Sequence, residues 1–222
     1  MIPVEPAAEP RDFDAKVRRR GLDAIAQLVG EAPSAVRRGP PRKKIADRRE
    51  DIPPGMLPPL WRDALDDLMT AYRRLCAYTA LYIEPATGAA SVDHVVPKSR
   101  RWDRAYEWSN YRLACSLVNA NKAASTDVLD PFEIRAGWFV LELVGFQVCP
   151  GKGLTPSVRE QVLRTIDRLG LNDSRCRGQR EAYATAFSER EISLSYLRRR
   201  APFVAYELER QGRSSPPDSE LG

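Results

Sequence analysis

The fold of this chain is decided around the stretch SVDHVVPKS (residues 91–99), which contains its one histidine, His94. β-branched and apolar residues surround an adjoining carboxylate and imidazole, a composition that is typical of a short strand. Pro97 follows, and proline lacks the amide hydrogen that a strand ladder requires. We therefore predict a strand over residues 89–96 that ends at Pro97, with Asp93 and His94 near its end.

The stretch NYRLACSLVNANK (residues 110–122) lies downstream and predicts a second short strand over 111–115 and a helix over 116–124. The residues between the two strands, 98–109, are polar and aromatic and predict a long loop. The resulting order of elements is strand, long loop, strand and short helix.

Helical patterns lie on both sides of this segment. A helix over residues 58–75 is predicted by five apolar residues at helical spacing: Trp61, Leu65, Leu68, Tyr72 and Leu75. Further along, residues 138–148 predict a strand pair or one long strand, and Thr155 with Pro156 opens a helix. A helical region over residues 175–210 is broken near Pro202. The pattern predicts an α+β fold.

Composition divides the chain into four parts. Residues 1–55 carry many prolines and charges around one amphipathic stretch and predict a basic, loosely attached arm with one helix. Residues 56–130 would form the core with its preceding helix, and residues 131–211 a mostly helical extension. Residues 212–222 are polar and rich in proline and serine, so we expect a disordered tail.

The overall composition favours a cytoplasmic protein with a polyanionic partner. The 222 residues are 43% hydrophobic, enough for one compact domain with extensions or for two small domains. The formal charge of +5 at pH 7 fits a nucleic acid as partner without proving one. Since no run of about 18 apolar residues occurs, we expect neither a transmembrane helix nor a membrane partner.

The residues around His94 suit phosphodiester hydrolysis. A neutral imidazole can act as a general base near pH 7, and carboxylate and amide oxygens are ligands that Mg²⁺ and Mn²⁺ accept. Each residue also has an ordinary interpretation: Asp93 as a surface acid, Asn110 as a loop residue and Asn119 as a helix cap. Because strand neighbours point to opposite faces, Asp93 and His94 share a site only where the strand twists or ends.

The order and spacing of these residues resemble a known motif. The segment 92–122 is similar to that of the HNH (ββα-metal) endonucleases: D-H-x-x-P-x-S, followed by N-x-x-L-x-C-x-x-x-N-x-x-K. The resemblance implies a small ββα-metal core, here wrapped by N- and C-terminal helices. It also implies metal-dependent hydrolysis of phosphodiester bonds in DNA.

The resemblance assigns roles to individual residues. His94 would be the general base, and Asp93 and Asn119 would hold one divalent ion, Mg²⁺ or Mn²⁺, through oxygen atoms. Asn110 would pin the loop and orient His94, which is a structural duty within the catalytic set. Asn121 is a second candidate near the metal and ranks below Asn119.

Basic residues in and beside the motif suggest contacts to a nucleic acid. Lys122 would face the phosphate, as the resemblance implies. The loop between the strands carries Lys98, Arg100, Arg101 and Arg104, where a phosphate backbone would lie. We therefore expect these five side chains to bind DNA.

The cysteines depart from the family pattern. Many HNH proteins brace the fold with two C-x-x-C pairs that bind zinc, whereas here Cys76 is followed by Thr79 and Cys115 by Val118. Two thiols do not make the four-ligand site that structural zinc prefers. We expect no structural zinc, and apolar packing in its place.

A looser resemblance covers residues 58–185. The stretches 76–78, 92–99, 106–110 and 165–172, followed by Arg180, are similar to bacterial anti-phage defence HNH proteins of the Septu- and retron-associated type. That resemblance implies an ATPase partner and an attack on invading nucleic acid.

Two other classes of function stay open. The incomplete cysteine pairs are compatible with a catalytically inactive nucleic-acid-binding or complex-assembly subunit. A structural helical protein with accidental motif matches requires several coincidences at once. Metal-dependent turnover would separate the enzyme from either alternative.

Overall fold

The chain combines helices with two small antiparallel sheets, and the α+β class is confirmed. The computed structural model describes residues 1–35 and 40–213, so the predicted tail lies outside the described residues from position 214 onward. The α-helices are α1 (Arg19–Leu28), α2 (Leu65–Ala71), α3 (Ser116–Lys122), α4 (Pro156–Leu169), α5 (Ser174–Ser188), α6 (Leu194–Arg200) and α7 (Pro202–Arg210). The strands are β1 (Ala90–His94), β2 (Tyr111–Cys115), β3 (Phe139–Leu141) and β4 (Val148–Pro150). Among the described residues, none of the helices has the length and apolarity to cross a membrane.

The central element is a β-hairpin followed directly by a helix, as the motif order predicts. Strands β1 and β2 pair antiparallel, with Asp93 opposite Arg112 and His94 opposite Tyr111, and α3 begins immediately after β2. The first strand ends at His94, two residues before the predicted end. The amide of Val95 still bonds the main-chain carbonyl of Asn110, but the amide of Val96 bonds the side-chain oxygen of Asn110, so the ladder does not continue.

Helix α2 is shorter than the helix predicted over residues 58–75. A 3-10 turn (Leu60–Ala64) precedes it, and it ends at Ala71 because Arg73 and Arg74 adopt positive φ angles of 50° and 60°. L-residues in this left-handed region do not continue a right-handed helix. The chain is thereby turned back, so that the next segment runs beside β2.

The N-terminal arm is packed into the core, and the prediction of a loosely attached arm is wrong. The side chains of Phe13 and Ile25 are fully buried. The ring of Phe13 packs edge-on against Trp108 and Tyr111, with centroid distances of 5.6 and 5.8 Å. The indole nitrogen of Trp108 also donates a hydrogen bond to the carbonyl of Ala7. The amphipathic stretch is held because its apolar face covers the loop and β2.

The C-terminal part follows the predicted pattern with one additional break. Residues 138–148 form a strand pair, β3 and β4, whose second strand extends to Pro150. The side chain of Thr155 caps α4 as predicted, and the predicted break stands before Pro202. A further break separates α5 from α6 and contains Arg190 at a φ of 62°. The amide of Tyr82 donates to the carbonyl of the last residue of α6, which ties this extension to the core.

The end of α3 carries backbone strain that a substitution should relieve. Ala123 has a φ of 48° and a ψ of −124° and is the first inner residue of a turn that Ser125 N–H closes on the Lys122 carbonyl at 3.0 Å. Glycine is the residue that this turn position favours. We expect Ala123→Gly to raise the free energy of unfolding by about 1 kcal/mol, the relieved strain less the added chain entropy.

Urea unfolding measures this effect, and Ala120→Gly is the matched control. Ala120 is exposed within the same helix. Glycine there is expected to lower the free energy of unfolding by about 1 kcal/mol. If both glycine variants destabilised the protein equally, the strain assigned to Ala123 would be refuted.

Candidate active site

A cleft of about 410 Å³ opens at the end of β1 and collects four of the predicted site residues. Asp93 and His94 reach it from β1, and Asn119 reaches it from α3. Lys98 from the loop and Trp61 from the turn before α2 complete its walls. These elements meet because β2 runs back along β1 and α3 starts without an intervening loop.

The ring of His94 is held with one nitrogen engaged. Its Nε2 lies 2.9 Å from the carbonyl oxygen of Ala105, and its ring packs edge-on against Trp61 and Tyr111 at 5.0 and 5.2 Å. Because a carbonyl only accepts hydrogen bonds, the neutral ring carries its proton on Nε2 and a lone pair on Nδ1. Burial lowers the pKa of His94 to about 4, so the imidazole is neutral at pH 7.

Asn110 is buried behind the loop and bonds the main chain before it, at Val96, and within it, at Arg104. Its Oδ1 accepts from the amide of Val96 at 2.8 Å, and its Nδ2 donates to the carbonyls of Val96 and Arg104 at 3.0 and 2.9 Å. Arg104 directly precedes Ala105, whose carbonyl holds His94. Asn110 therefore contacts the main chain that orients the imidazole and stays outside the cleft.

The carboxylate of Asp93 faces away from the imidazole, on the other side of β1. Its two oxygens accept from the hydroxyl of Tyr78 at 2.5 Å and from the ammonium of Lys122 at 3.0 Å. Burial and the charge of Asp93 raise the pKa of Tyr78, so the phenol keeps its proton and donates it. Asp93 and His94 nevertheless both line the cleft, which lies at the end of β1.

Lys122 does not face a phosphate, contrary to the prediction. Its side chain is 2% exposed, and its ammonium bonds Asp93 and the carbonyl of His94, the latter at 2.8 Å. The packing of α3 against β1 buries this part of the helix. An ammonium in this position cannot reach a nucleic acid that lies outside the protein.

The structure separates the two asparagines of α3. Residues two positions apart on an α-helix point about 200° apart, and only Asn119 lines the cleft. Asn121 donates a hydrogen bond from Nδ2 to the carbonyl of Leu169 at 3.0 Å, on the side of α4. Asn121 is therefore not a candidate ligand in this arrangement.

The predicted DNA-binding residues of the loop differ in their surroundings. The ammonium of Lys98 lies 4.0 Å from the ring centroid of Trp61 at the cleft. Burial lowers the pKa of Lys98. Arg100 is exposed, and Arg104 is half-buried. Arg101 makes two hydrogen bonds to a neighbouring carboxylate, Asp103, at 2.8 and 2.6 Å.

The donor atoms at the cleft fit a hard divalent cation. The carboxylate of Asp93 and the side-chain amide of Asn119 offer oxygen ligands. Within residues 1–35 and 40–213, no group of three or more His, Cys, Asp and Glu residues is placed to hold a metal. Mg²⁺ is often bound by one or two protein oxygens, with water and a substrate phosphate completing the shell. Asp93 and Asn119 carry oxygen atoms of the kind that this mode of binding uses, but Tyr78 and Lys122 already bond the carboxylate of Asp93.

The two cysteines of the incomplete zinc pattern contact each other beside β2. The amide of Cys115 donates to the sulfur of Cys76 at 3.4 Å. Burial alone would raise the pKa of Cys76, but hydrogen bonds from Cys115 and Thr79 hold it below its usual value. A thiol pair thus occupies the place where we expected apolar packing.

Sequence reasoning missed two residues of the site. The sequence identifies Trp61 only as one apolar position of the helical pattern, whereas it also forms a wall of the cleft. Tyr78 meets Asp93 only because the chain turns back after α2, and no local pattern marks that contact. The signals near it were Cys76, two positions earlier, and the looser resemblance of residues 76–78.

In comparisons with known proteins, no family model matches this chain, and no curated protein matches it.

Proposed function

We propose that this protein is a metal-dependent endonuclease of the HNH (ββα-metal) type that hydrolyses phosphodiester bonds in DNA. One observation carries the proposal: Asp93, His94 and Asn119 line a single cleft, and they stand in the motif order that the HNH resemblance requires. A ligand pair and a neutral base around one cavity form the minimum set for hydrolysis assisted by a cation.

His94 would remove the proton from the attacking water. The lone pair on Nδ1 takes the proton, while Nε2–H remains donated to the carbonyl of Ala105. That carbonyl stabilises the imidazolium as it forms, because its dipole faces the positive ring. Asn110 keeps the carbonyl in place through its bond to the preceding residue, Arg104.

Asp93 and Asn119 would hold the Mg²⁺ or Mn²⁺ ion. When bound, the ion supplies positive charge that neutralises the transferring phosphate and the leaving oxygen. Lys98, Arg100 and Arg104 would contact the phosphate backbone from the loop beside the cleft. Arg101 would contribute less, because Asp103 already neutralises it.

One observation favours the alternative, a catalytically inactive nucleic-acid-binding or complex-assembly subunit. The ammonium of Lys122 already neutralises Asp93, which an active enzyme needs as a ligand.

The rest of the proposal, a role in anti-phage defence with an ATPase partner, is supported only by the looser resemblance of residues 58–185. Co-purification of an ATPase with the full chain would test that part.

Plasmid cleavage with Asn119→Ala and Asn121→Ala tests the nuclease proposal. We expect wild-type protein to nick or linearise DNA with Mg²⁺ or Mn²⁺, with EDTA as the metal-free control. Loss of a metal ligand should slow cleavage at least about tenfold in Asn119→Ala. Asn121→Ala changes the same residue type on the same helix outside the cleft and should stay close to wild type.

Two outcomes would contradict the nuclease proposal. Cleavage that persists in EDTA would exclude a metal-dependent enzyme. Absence of cleavage by the wild type in either metal would favour the inactive subunit.

A further inference from the structure

The ammonium of Lys122 is buried beside the candidate site, and the proposed hydrolysis does not use it. We propose that Lys122 is an internal counter-ion for Asp93, which holds this ligand in place without metal and weakens its affinity for a divalent cation. This inference rests on the proposed function and deepens it, because it concerns the same site. Lys122 would be a positioning residue, since it acts through Asp93 and does not touch the substrate.

The burial of the pair shows why a counter-ion is needed. Both side chains are 2% exposed, and their N–O distance is 3.0 Å. An isolated buried carboxylate is costly, and a partner with opposite charge removes most of that cost. The hydroxyl of Tyr78 bonds the other carboxylate oxygen, so the whole group is held before any metal arrives.

The same ammonium also reaches the main chain of the base. It donates to the carbonyl of His94 at 2.8 Å and lies 3.5 Å from the carbonyl of Val95. One side chain therefore joins the ligand, Asp93, to the end of the strand that carries His94. This contact fixes the carboxylate of Asp93 relative to the main chain of His94.

Electrostatics gives the direction of the effect on metal binding. A cation that binds Asp93 comes close to the ammonium, and like charges repel strongly in a partly desolvated site. Removing the charge of Lys122 should therefore tighten metal binding. It should also make the metal-free protein less stable, because Asp93 then loses its counter-ion.

Calorimetric titration with MnCl₂ measures the predicted change. Lys122→Gln keeps a hydrogen-bond donor and removes the charge, and we expect its dissociation constant for Mn²⁺ to fall at least about tenfold below that of the wild type. Asp93→Asn in the Lys122→Gln background should abolish the binding. Lys16→Met is the charge control, because Lys16 pairs with a different carboxylate, Asp67, at 2.9 Å.

Lys122→Met provides a second measurement that does not require a stable metal-free protein. Without the ammonium on Asp93, which then keeps only the hydroxyl of Tyr78 as donor, this variant should unfold at a lower temperature in EDTA and recover in Mn²⁺, with a larger rise than the wild type shows. A rise equal to that of the wild type, or no recovery in Mn²⁺, would count against the counter-ion role.

The outcomes separate this inference from the nuclease proposal. Equal or weaker Mn²⁺ binding by Lys122→Gln, still abolished by Asp93→Asn, would overturn the counter-ion role and leave the metal site standing. Absence of Mn²⁺ binding in both the wild type and Lys122→Gln would overturn the metal site and the proposed function with it. Tighter Mn²⁺ binding by Lys122→Gln, with no such change in Lys16→Met, supports both the counter-ion role and the metal site.

Discussion

Replacing His94 with alanine is expected to slow DNA cleavage by about 10²- to 10⁴-fold, the usual contribution of a general base. His94 is the one histidine of the chain, and its Nδ1 is the ring nitrogen that keeps a lone pair while Nε2 bonds Ala105. The rate is measured on supercoiled plasmid in Mg²⁺ with enzyme in excess. A His94→Ala protein that cleaves as fast as the wild type would disprove the role of the base.

Chemical rescue distinguishes a lost base from a damaged fold. The alanine variant leaves a space for a ring beside Trp61 and Tyr111, open to the cleft of about 410 Å³. Added imidazole should therefore restore part of the activity of His94→Ala and should not change the wild-type rate. A variant inactivated by misfolding would not respond to imidazole, and its near-ultraviolet circular dichroism would differ from that of the wild type.

The second large effect is on stability. Arg112→Met is expected to lower the free energy of unfolding by about 3–5 kcal/mol, because it leaves the carboxylate of Asp130, only 12% exposed, without its partner. Arg112 is 4% exposed and makes two hydrogen bonds to Asp130, at 2.8 and 2.6 Å. Its guanidinium also stacks 3.3 Å from the ring centroid of Phe132. The pair thus anchors the segment after α3 to β2.

Arg101 supplies a matched control for this substitution. The Arg101–Asp103 pair has the same two-bond geometry, at 2.8 and 2.6 Å, but both side chains are exposed. Exposed pairs contribute little, so the urea midpoint of Arg101→Met should stay close to that of the wild type. If Arg112→Met and Arg101→Met unfolded at the same urea concentration, burial would not be what makes the first pair important.

The elements of the hairpin were predictable because their signals are local. The second strand and the start of α3 are observed where residues 110–122 predict them, and the first strand starts one residue later and ends two residues earlier than predicted. The cap of α4 by Thr155 followed from one residue and its proline neighbour. The early end of α2 was not predictable, because Arg73 and Arg74 adopt positive φ without a glycine to mark the turn.

The contacts that were missed join residues far apart in the chain. Lys122 looked like a phosphate ligand because its motif position gives no information about burial, and its partner Asp93 is 29 residues away. The bond from Tyr78 to Asp93 and the packing of the N-terminal arm against Trp108 were missed for the same reason. By contrast, the ranking of Asn119 above Asn121 agrees with their separation in the structure, although their roles stay predictions.

The packed N-terminal arm has a consequence for the biosynthesis of the protein. Trp108 bonds Ala7 across 101 residues, and the amide of Val4 bonds the carbonyl of Pro131 at 3.0 Å. Because the ribosome makes the N-terminal end first, the arm has nothing to bury Phe13 against until the hairpin has left the exit tunnel. A nascent chain that lacks the hairpin therefore exposes the apolar face of the arm, and such surface favours aggregation. The cleft, which includes Ala124, forms only after more than half of the 222 residues have been made.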